Sequence, residues 1–231
     1  SIPAKEWLGV AEWLGVTAEL FEHVVAAVQT DLAAGMSPQG RLWFNISPND
    51  MLRSGGVEWL LENLQRLGLP PTALGLELTE TEAIEETGRM TTMVSDLRRV
   101  GLAVALDGFG ARSSPLGHLV EIPVTRVKLD SSLTAGLGPH TGPATWVVSA
   151  MANLARRLDI ELVAEGVSSG EQLRALAHLG VPGAQGFLLC LPGPMNRCPG
   201  RVDLAMAAQT TLQSLEVPDQ VDAPLARQLG R

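Results

Sequence analysis

The sequence has 231 residues, a length that one α/β domain with a full-sized core can fill and that leaves no room for a second full domain. Its net charge of -8 argues against a long nucleic-acid polymer as a partner, because such affinity comes mostly from Lys and Arg neutralising phosphates. Hydrophobic residues make up 45% of the chain, but no apolar run approaches the roughly 20 residues of a membrane-spanning helix, so we expect no membrane insertion.

The start of the sequence and its cysteines predict a cytoplasmic protein. Lys5 and Glu6 are followed at once by mixed residues, so the pattern of a signal peptide is not visible. The two cysteines, Cys190 and Cys198, stand in a stretch rich in Pro and Gly, where we expect thiols that neither form a bridge nor bind a metal.

The opening segment contains the sequence EWLGV twice, at residues 6–10 and 12–16. The repeat brings Trp7 and Trp13 near one another, and together they could form an aromatic contact surface. A local duplication in a capping helix is the favoured interpretation, because single exposed aromatic side chains are common on proteins.

A helix from Ala18 to Ala33 is predicted next, and after it short β-like runs alternate with helical patterns. The β-like runs are Arg41 to Ser47, Gly75 to Glu80, Ala103 to Asp107, Arg126 to Asp130, Ile160 to Glu165 and Ala184 to Cys190. Gly68, Gly101 and Gly180 stand where the helices between these runs should end, since glycine readily adopts the left-handed conformation of a C-cap.

Strands that alternate with helices lie parallel, either in an open doubly wound sheet or in a closed barrel. A closed barrel of this kind has eight strands, and six are recognisable here. If the fold is a barrel, we therefore expect its first two strands to be missing from the N-terminus. The exposed edges of the Arg41 and Ala184 strands would then be covered by the N-terminal segment, the tail or another subunit, because free strand edges invite pairing.

Polar residues end almost every predicted strand, and chemistry in both types of α/β fold collects at these carboxyl ends. Each residue alone also fits a local turn or a side chain at the rim, but structural carboxylates have no reason to gather at one edge. Carboxylates and an amide suit a hard cation such as Mg²⁺, and a lysine can hold a water or a phosphate oxygen. The strand ends therefore predict a site for a hard cation and a water or phosphate oxygen, formed by Asn45, Glu77, Asp107, Lys128 and Glu165. Glu80, Asp130 and Gln185 are further polar residues at the same strand ends.

Six motifs in order resemble those of the EAL-domain cyclic di-GMP phosphodiesterases, over about Ile2 to Pro194. They are NIS at 45–47, ELTE at 77–80, ALDGFG at 105–110, VKLD at 127–130, VAEGV at 163–167 and QGFLLCLP at 185–192. The resemblance implies a TIM-like (β/α)8 barrel that hydrolyses cyclic di-GMP to linear pGpG with Mg²⁺ or Mn²⁺. We place this partial barrel domain at residues 1–200 and a C-terminal helix with a frayed tail at 201–231.

The resemblance also implies a role for each matched site residue. The metal ligands are Asn45, Glu77 and Asp107; the catalytic residues are Lys128 and Glu165; the substrate-binding residues are Asp130 and Gln185; and Glu80 supports the active-site loop.

Four departures from the family pattern affect this site. The E-A-L triplet would stand before Ser1 and is not in the chain, and the second of the family's paired aspartates is Gly108. The loop that usually reads TGYSS has Arg112 and Ser113 in place of a glycine and an aromatic residue, and a usual glutamate is Ser168. Arg112 could supply charge where a metal has been lost.

These departures predict a non-catalytic cyclic di-GMP receptor or regulatory module, working with sensor or output domains and as a homodimer. Two alternatives stay open. The first is an active phosphodiesterase whose missing elements come from elsewhere, and the second is a protein-interaction scaffold.

Overall fold

Six parallel strands form the sheet, and they are hydrogen-bonded in chain order from β1 to β6. The computed structural model describes residues 10–38, 40–79, 87–111, 117–138 and 142–193. The strands are β1 (Leu42–Ile46), β2 (Leu74–Thr79), β3 (Ala103–Phe109), β4 (Arg126–Leu129), β5 (Glu161–Ala164) and β6 (Gly183–Ala184). This order confirms the predicted α/β class and the presence of six parallel strands.

Helices connect the strands along the chain. They are α1 (Thr17–Ala33), α2 (Pro48–Leu52), α3 (Gly56–Gln65), α4 (Thr87–Arg99), α5 (His118–Glu121), α6 (Ser131–Ala135), α7 (Pro143–Arg157) and α8 (Gly170–His178). Gly68, Gly101 and Gly180 all have positive φ after α3, α4 and α8, as predicted from the C-cap pattern. None of the helices in the described ranges is long and apolar enough to cross a membrane.

The sheet has an apolar face and a polar face, because successive side chains of a strand point to opposite sides. The apolar face is buried under the helices and includes Phe44, Ile46, Leu76, Leu78, Val104, Leu106, Leu129 and Leu162. Near the first strand, the ring of Phe21 in α1 packs against Phe44 at 6.0 Å and against Trp59 of α3 at 5.3 Å. The opposite face carries the ion pairs that form the candidate site.

A β-bulge in β3 interrupts the regular alternation at Asp107 and Gly108. Leu106 pairs with Val127 of β4, but the next pair joins Phe109 to Leu129, so β3 contains one extra residue. Because of this residue, Asp107 stays on the polar face with Lys128 while Phe109 returns to the apolar core.

The sixth predicted strand, Ala184 to Cys190, is wrong over most of its length. Residues after Ala184 form turns, in which the amides of Leu189 and Cys190 both donate to the carbonyl of Gly186. Gly186 lies so close to the backbone of Val167 that a Cβ there would be 2.2 Å from its carbonyl oxygen. The prediction failed because a continuous apolar run has no periodicity. Such a sequence therefore does not distinguish a turn of this kind from a buried strand.

Cys190 is disulfide-bonded in the structure, so the expectation of an unbridged thiol is wrong at this residue. The expectation rested on the reducing conditions of the cytoplasm. Formation of a disulfide also requires two sulfur atoms at bonding distance, which the sequence does not show. Cys198, Trp7, Glu80, Arg112, Ser113 and the tail at 201–231 lie outside the described residues. The predicted cover of the β1 and β6 edges stays a prediction.

Replacing Gly186 with alanine is expected to lower the free energy of unfolding by about 1–3 kcal/mol, because the new methyl group overlaps the backbone of Val167. Gly138→Ala is the matched control, since a Cβ at Gly138 meets no atom within 4 Å. Urea unfolding followed by circular dichroism compares the two variants. Equal losses in both would contradict a close backbone approach at Gly186.

Candidate functional site

A buried lysine connects the carboxyl ends of four neighbouring strands. The Nζ atom of Lys128 in β4 lies 2.6 Å from Glu77 Oε2 of β2 and 3.3 Å from Asp107 Oδ1 of β3. It also lies 2.5 Å from Oε1 of Glu165, the residue that follows β5. The Lys128 side chain is only 4% exposed, so its charge is balanced by these three carboxylates and not by water.

The strand register explains why these side chains meet. In the parallel sheet Glu77 is level with Ala105 and Lys128 is level with Val163, so each charged side chain has a small or apolar neighbour beside it. Asp107 stands two residues beyond Ala105 on the same face, and Glu165 stands two residues beyond Val163. The four charged groups therefore converge at one end of the sheet.

The charges around Lys128 raise its pKa well above the ordinary 10.5. Burial acts in the opposite direction and is the largest single influence, but Glu77, Asp107 and Glu165 together outweigh it. The lysine is therefore an ammonium at neutral pH.

Burial raises the pKa of Glu165 above its ordinary 4.5. The contact with Lys128 acts against this increase, while the neighbouring Asp107 and Glu77 add to it. The cluster thus contains more negative groups than its one cation balances. Asp107 Oδ1 is buried and has no hydrogen bond. It lies 3.3 Å from Lys128 Nζ, which makes an ion pair but not a well-formed hydrogen bond. This is consistent with the excess of negative groups.

A second ion pair lies on the same face at the amino ends of β4 and β5, and it was missed in the sequence. Arg126 donates from Nε and Nη2 to Glu161 Oε2 at 2.8 and 2.7 Å, and its guanidinium lies 3.9 Å from the ring of Trp43. Gly75 leaves room for this ring, because a Cβ there would be 2.5 Å from it. Arg126 and Glu161 each stand two residues before another residue of the polar face. Because side chains alternate along a strand, this spacing could have assigned both residues to the polar face from the sequence.

Three other predicted site residues have different environments. Asn45 is exposed on β1 beside Glu77 in the register. Asp130 is the N-cap of α6 and accepts a hydrogen bond from the Ser132 amide at 2.9 Å. Gln185 is exposed, and its backbone pairs with Ala164 and Val167. The structure therefore brings four of the predicted residues into one cluster and leaves these three around it.

The oxygen donors of the cluster are of the type that Mg²⁺ and Mn²⁺ prefer, but their arrangement does not fit such an ion. Glu77, Asp107 and Glu165 direct oxygen atoms at Lys128, and within the described ranges no group of three or more Asp, Glu, His or Cys side chains has the geometry to hold a metal. Gly108 contributes no ligand at the bulge. The predicted ligand set of Asn45, Glu77 and Asp107 stays a prediction.

Comparisons with known proteins agree on one family. The profile of the EAL domain matches residues 1–192 of this chain. Cyclic di-GMP phosphodiesterase RocR of Pseudomonas aeruginosa is 34% identical over 201 residues, which cover 84% of this chain and 50% of RocR. Cyclic di-GMP phosphodiesterase PdeB of Shewanella oneidensis is 31% identical over 166 residues, which cover 69% of this chain and 19% of PdeB.

A solved structure supports the same relationship. The PaMucR phosphodiesterase in complex with cyclic di-GMP superposes with a TM-score of 0.73 and 30% identity, covering 82% of this chain and 78% of that one. This similarity confirms the predicted TIM-like fold of the EAL type. The chain spans half of RocR and about a fifth of PdeB, so it corresponds to one part of these longer proteins.

Glu165→Gln is expected to flatten the dependence of stability on pH above 4.5. Because the pKa of Glu165 is raised in the folded state, the folded protein binds this proton more tightly than the unfolded chain does. Its contribution to stability is therefore complete below pH 4.5 and is lost as the pH rises through the raised pKa. Glutamine carries no such proton, so the variant lacks this loss.

Urea unfolding measured at intervals from pH 4.5 to neutrality tests this expectation. Glu171→Gln is the control, because Glu171 is an exposed carboxylate in the first turn of α8. Identical pH slopes for wild type and Glu165→Gln would show that Glu165 has no raised pKa.

Proposed function

The chain belongs to the EAL domain family, and we propose that it acts in cyclic di-GMP signalling as a non-catalytic receptor or regulatory module. One observation carries this proposal: the carboxylates of Glu77, Asp107 and Glu165 are all engaged by Lys128. Three of the acidic side chains that the family resemblance assigns to metal binding and catalysis are therefore used in an internal ion cluster.

Hydrolysis of a phosphodiester in this family is implied to need divalent cations. Such cations, when bound, lower the pKa of the attacking water and stabilise the negative charge of the transition state. This chain offers Asn45, Glu77 and Asp107 for them, with glycine at position 108 where the resemblance expects a second aspartate. Losing one ligand of a two-metal site should lower the rate about a thousandfold or more.

The groups that recognise the nucleotide differ from the groups that hydrolyse it. Guanine presents N–H donors to which a carboxylate can bind, and we assign Asp130 this role because its carboxylate is fixed at the start of α6. Gln185, held by backbone bonds on both sides, can present its amide to the same ligand. The similarity to PaMucR, whose structure contains cyclic di-GMP, supports this nucleotide as the ligand.

We infer the wider setting from the relatives. RocR and PdeB are longer than the matched region, which supports sensor or output domains as partners of this module. We also propose that the protein forms a homodimer in the cytoplasm and binds Mg²⁺ or Mn²⁺ weakly. Glu80 is assigned to support of the active-site loop on the resemblance alone.

Cyclic di-GMP is expected to bind without turnover in the presence of Mg²⁺ or Mn²⁺. Isothermal titration calorimetry measures binding, and chromatography of the reaction mixture detects pGpG. Turnover that disappears in Glu165→Ala would overturn the receptor proposal in favour of an active phosphodiesterase. If neither binding nor turnover occurs, the protein-interaction scaffold replaces both.

Asp130→Asn is expected to weaken cyclic di-GMP binding about tenfold, because it removes a charged acceptor for the guanine donors. Stability should change little, since asparagine is as good an N-cap as aspartate. Asp159→Asn makes the same substitution at a residue with φ of 56° between α7 and β5, a conformation that asparagine also tolerates. Equal affinity of the two variants in calorimetry would remove Asp130 from the binding site.

A further inference from the structure

Trp43 and Arg126 meet across the polar face of the sheet although their strands are not neighbours. Trp43 lies on β1 and Arg126 on β4, with β2 and β3 between them. Three strand spacings amount to about 14 Å along a sheet. The guanidinium of Arg126 nevertheless lies 3.9 Å from the centroid of the indole ring. The two side chains therefore span two strands and join β1 directly to β4.

Small residues on β2 and β3 leave the space for this contact. Gly75 of β2 is level with Trp43 in the register, and a Cβ there would be 2.5 Å from the ring. On β3, Ala103 is level with Gly75 and Ala105 is level with Arg126, and both alanines are buried. A larger side chain at Gly75 would displace the indole ring, so the contact depends on this glycine.

Glu161 of β5 fixes the orientation of the guanidinium. Nε and Nη2 of Arg126 lie 2.8 and 2.7 Å from the same oxygen, Glu161 Oε2. The Arg126 side chain is only 11% exposed. A cation that is largely removed from water is attracted more strongly to the face of an aromatic ring than an exposed one is. The contact between Arg126 and Trp43 is therefore of the stronger kind.

The first strand is the one that most needs such a contact. Within the described ranges β1 stands at an edge of the sheet and is hydrogen-bonded to β2 alone. A strand with one paired neighbour opens more readily than a strand between two others. Asn45 stands two residues beyond Trp43 on the same face and is level with Glu77. The position of Asn45 relative to the Lys128 cluster therefore depends on how firmly β1 is held.

We propose that Trp43 and Arg126 are positioning residues, whose cation–π contact holds β1 against β4 and so fixes Asn45 at the candidate site. The pair acts through the backbone of β1 and does not need to touch a ligand. The consequence for ligand affinity rests on the proposed cyclic di-GMP function, whereas the hold on β1 is a property of the free protein.

Hydrogen–deuterium exchange of the free protein tests the hold on β1, read by mass spectrometry on peptides that cover β1 and β3. Trp43→Leu and Arg126→Met are each expected to speed exchange in β1 about tenfold relative to β3, because the cation–π contact is lost. Arg41→Met is the matched control, since Arg41 is exposed and its guanidinium lies 5.7 Å from the same ring. Its β1 exchange should change less than about twofold.

Two further variants separate the cation–π contact from simple packing and keep the test decisive if Trp43→Leu folds poorly. Trp43→Phe retains an aromatic face, so its β1 exchange should be closer to that of wild type than to that of Trp43→Leu. The double variant Trp43→Leu with Arg126→Met should exchange in β1 within about twofold of either single variant, because each substitution removes the same contact.

Cyclic di-GMP affinity, measured by calorimetry, should fall at least about threefold in Trp43→Leu and Arg126→Met and stay unchanged in Arg41→Met. A wild-type protein that does not bind the nucleotide would remove the proposed function, and the exchange data would still decide whether the pair holds β1.

Three results would overturn the proposal. One is β1 exchange that does not rise relative to β3 in either single variant. Another is equal exchange in Trp43→Phe and Trp43→Leu, which would assign the effect to packing volume. The last is faster β1 exchange with unchanged affinity for cyclic di-GMP, which would mean that β1 does not position a group of the site.

Discussion

A lysine ammonium that is nearly removed from water is the constraint on which the rest of this structure depends. Burying an isolated charge costs several kcal/mol, so Lys128 is tolerated only with its carboxylate partners in place. Those partners come from β2, β3 and the end of β5. The cluster therefore couples the register of four strands to a single electrostatic requirement, and a shift of any one strand would separate a carboxylate from the ammonium.

The ion pairs on the polar face also determine how the two faces of the sheet differ. Parallel sheets usually have apolar residues on both faces, because helices or a barrel core cover both. Here Arg126 and Glu161 form one charged layer and the Lys128 cluster forms the next, while Trp43 lies against Arg126. Hydrophobic burial under the helices stabilises one face, and the other is organised by charge at the end where the site lies.

Much of this arrangement could be predicted from the sequence, because periodicity and polar strand ends are local signals. The first five strands and the meeting of Glu77, Asp107, Lys128 and Glu165 follow from them. The sixth strand could not be assigned correctly, since its outcome depends on the tertiary approach of Gly186 to Val167. The distance at which an ammonium binds three carboxylates is likewise a property of packing and not of sequence order.

Gly108 connects the backbone geometry of the bulge with a position where the resemblance expects a second aspartate. Its φ of 75° is left-handed, a conformation that costs a residue with a side chain roughly 1–2 kcal/mol and glycine almost nothing. An aspartate here, as the resemblance expects, would contribute a carboxylate at the expense of backbone strain, which a bound cation could offset. Glycine adopts this conformation without that strain. The bulge thus keeps Asp107 directed at Lys128, while glycine adopts the left-handed backbone of the neighbouring position without strain.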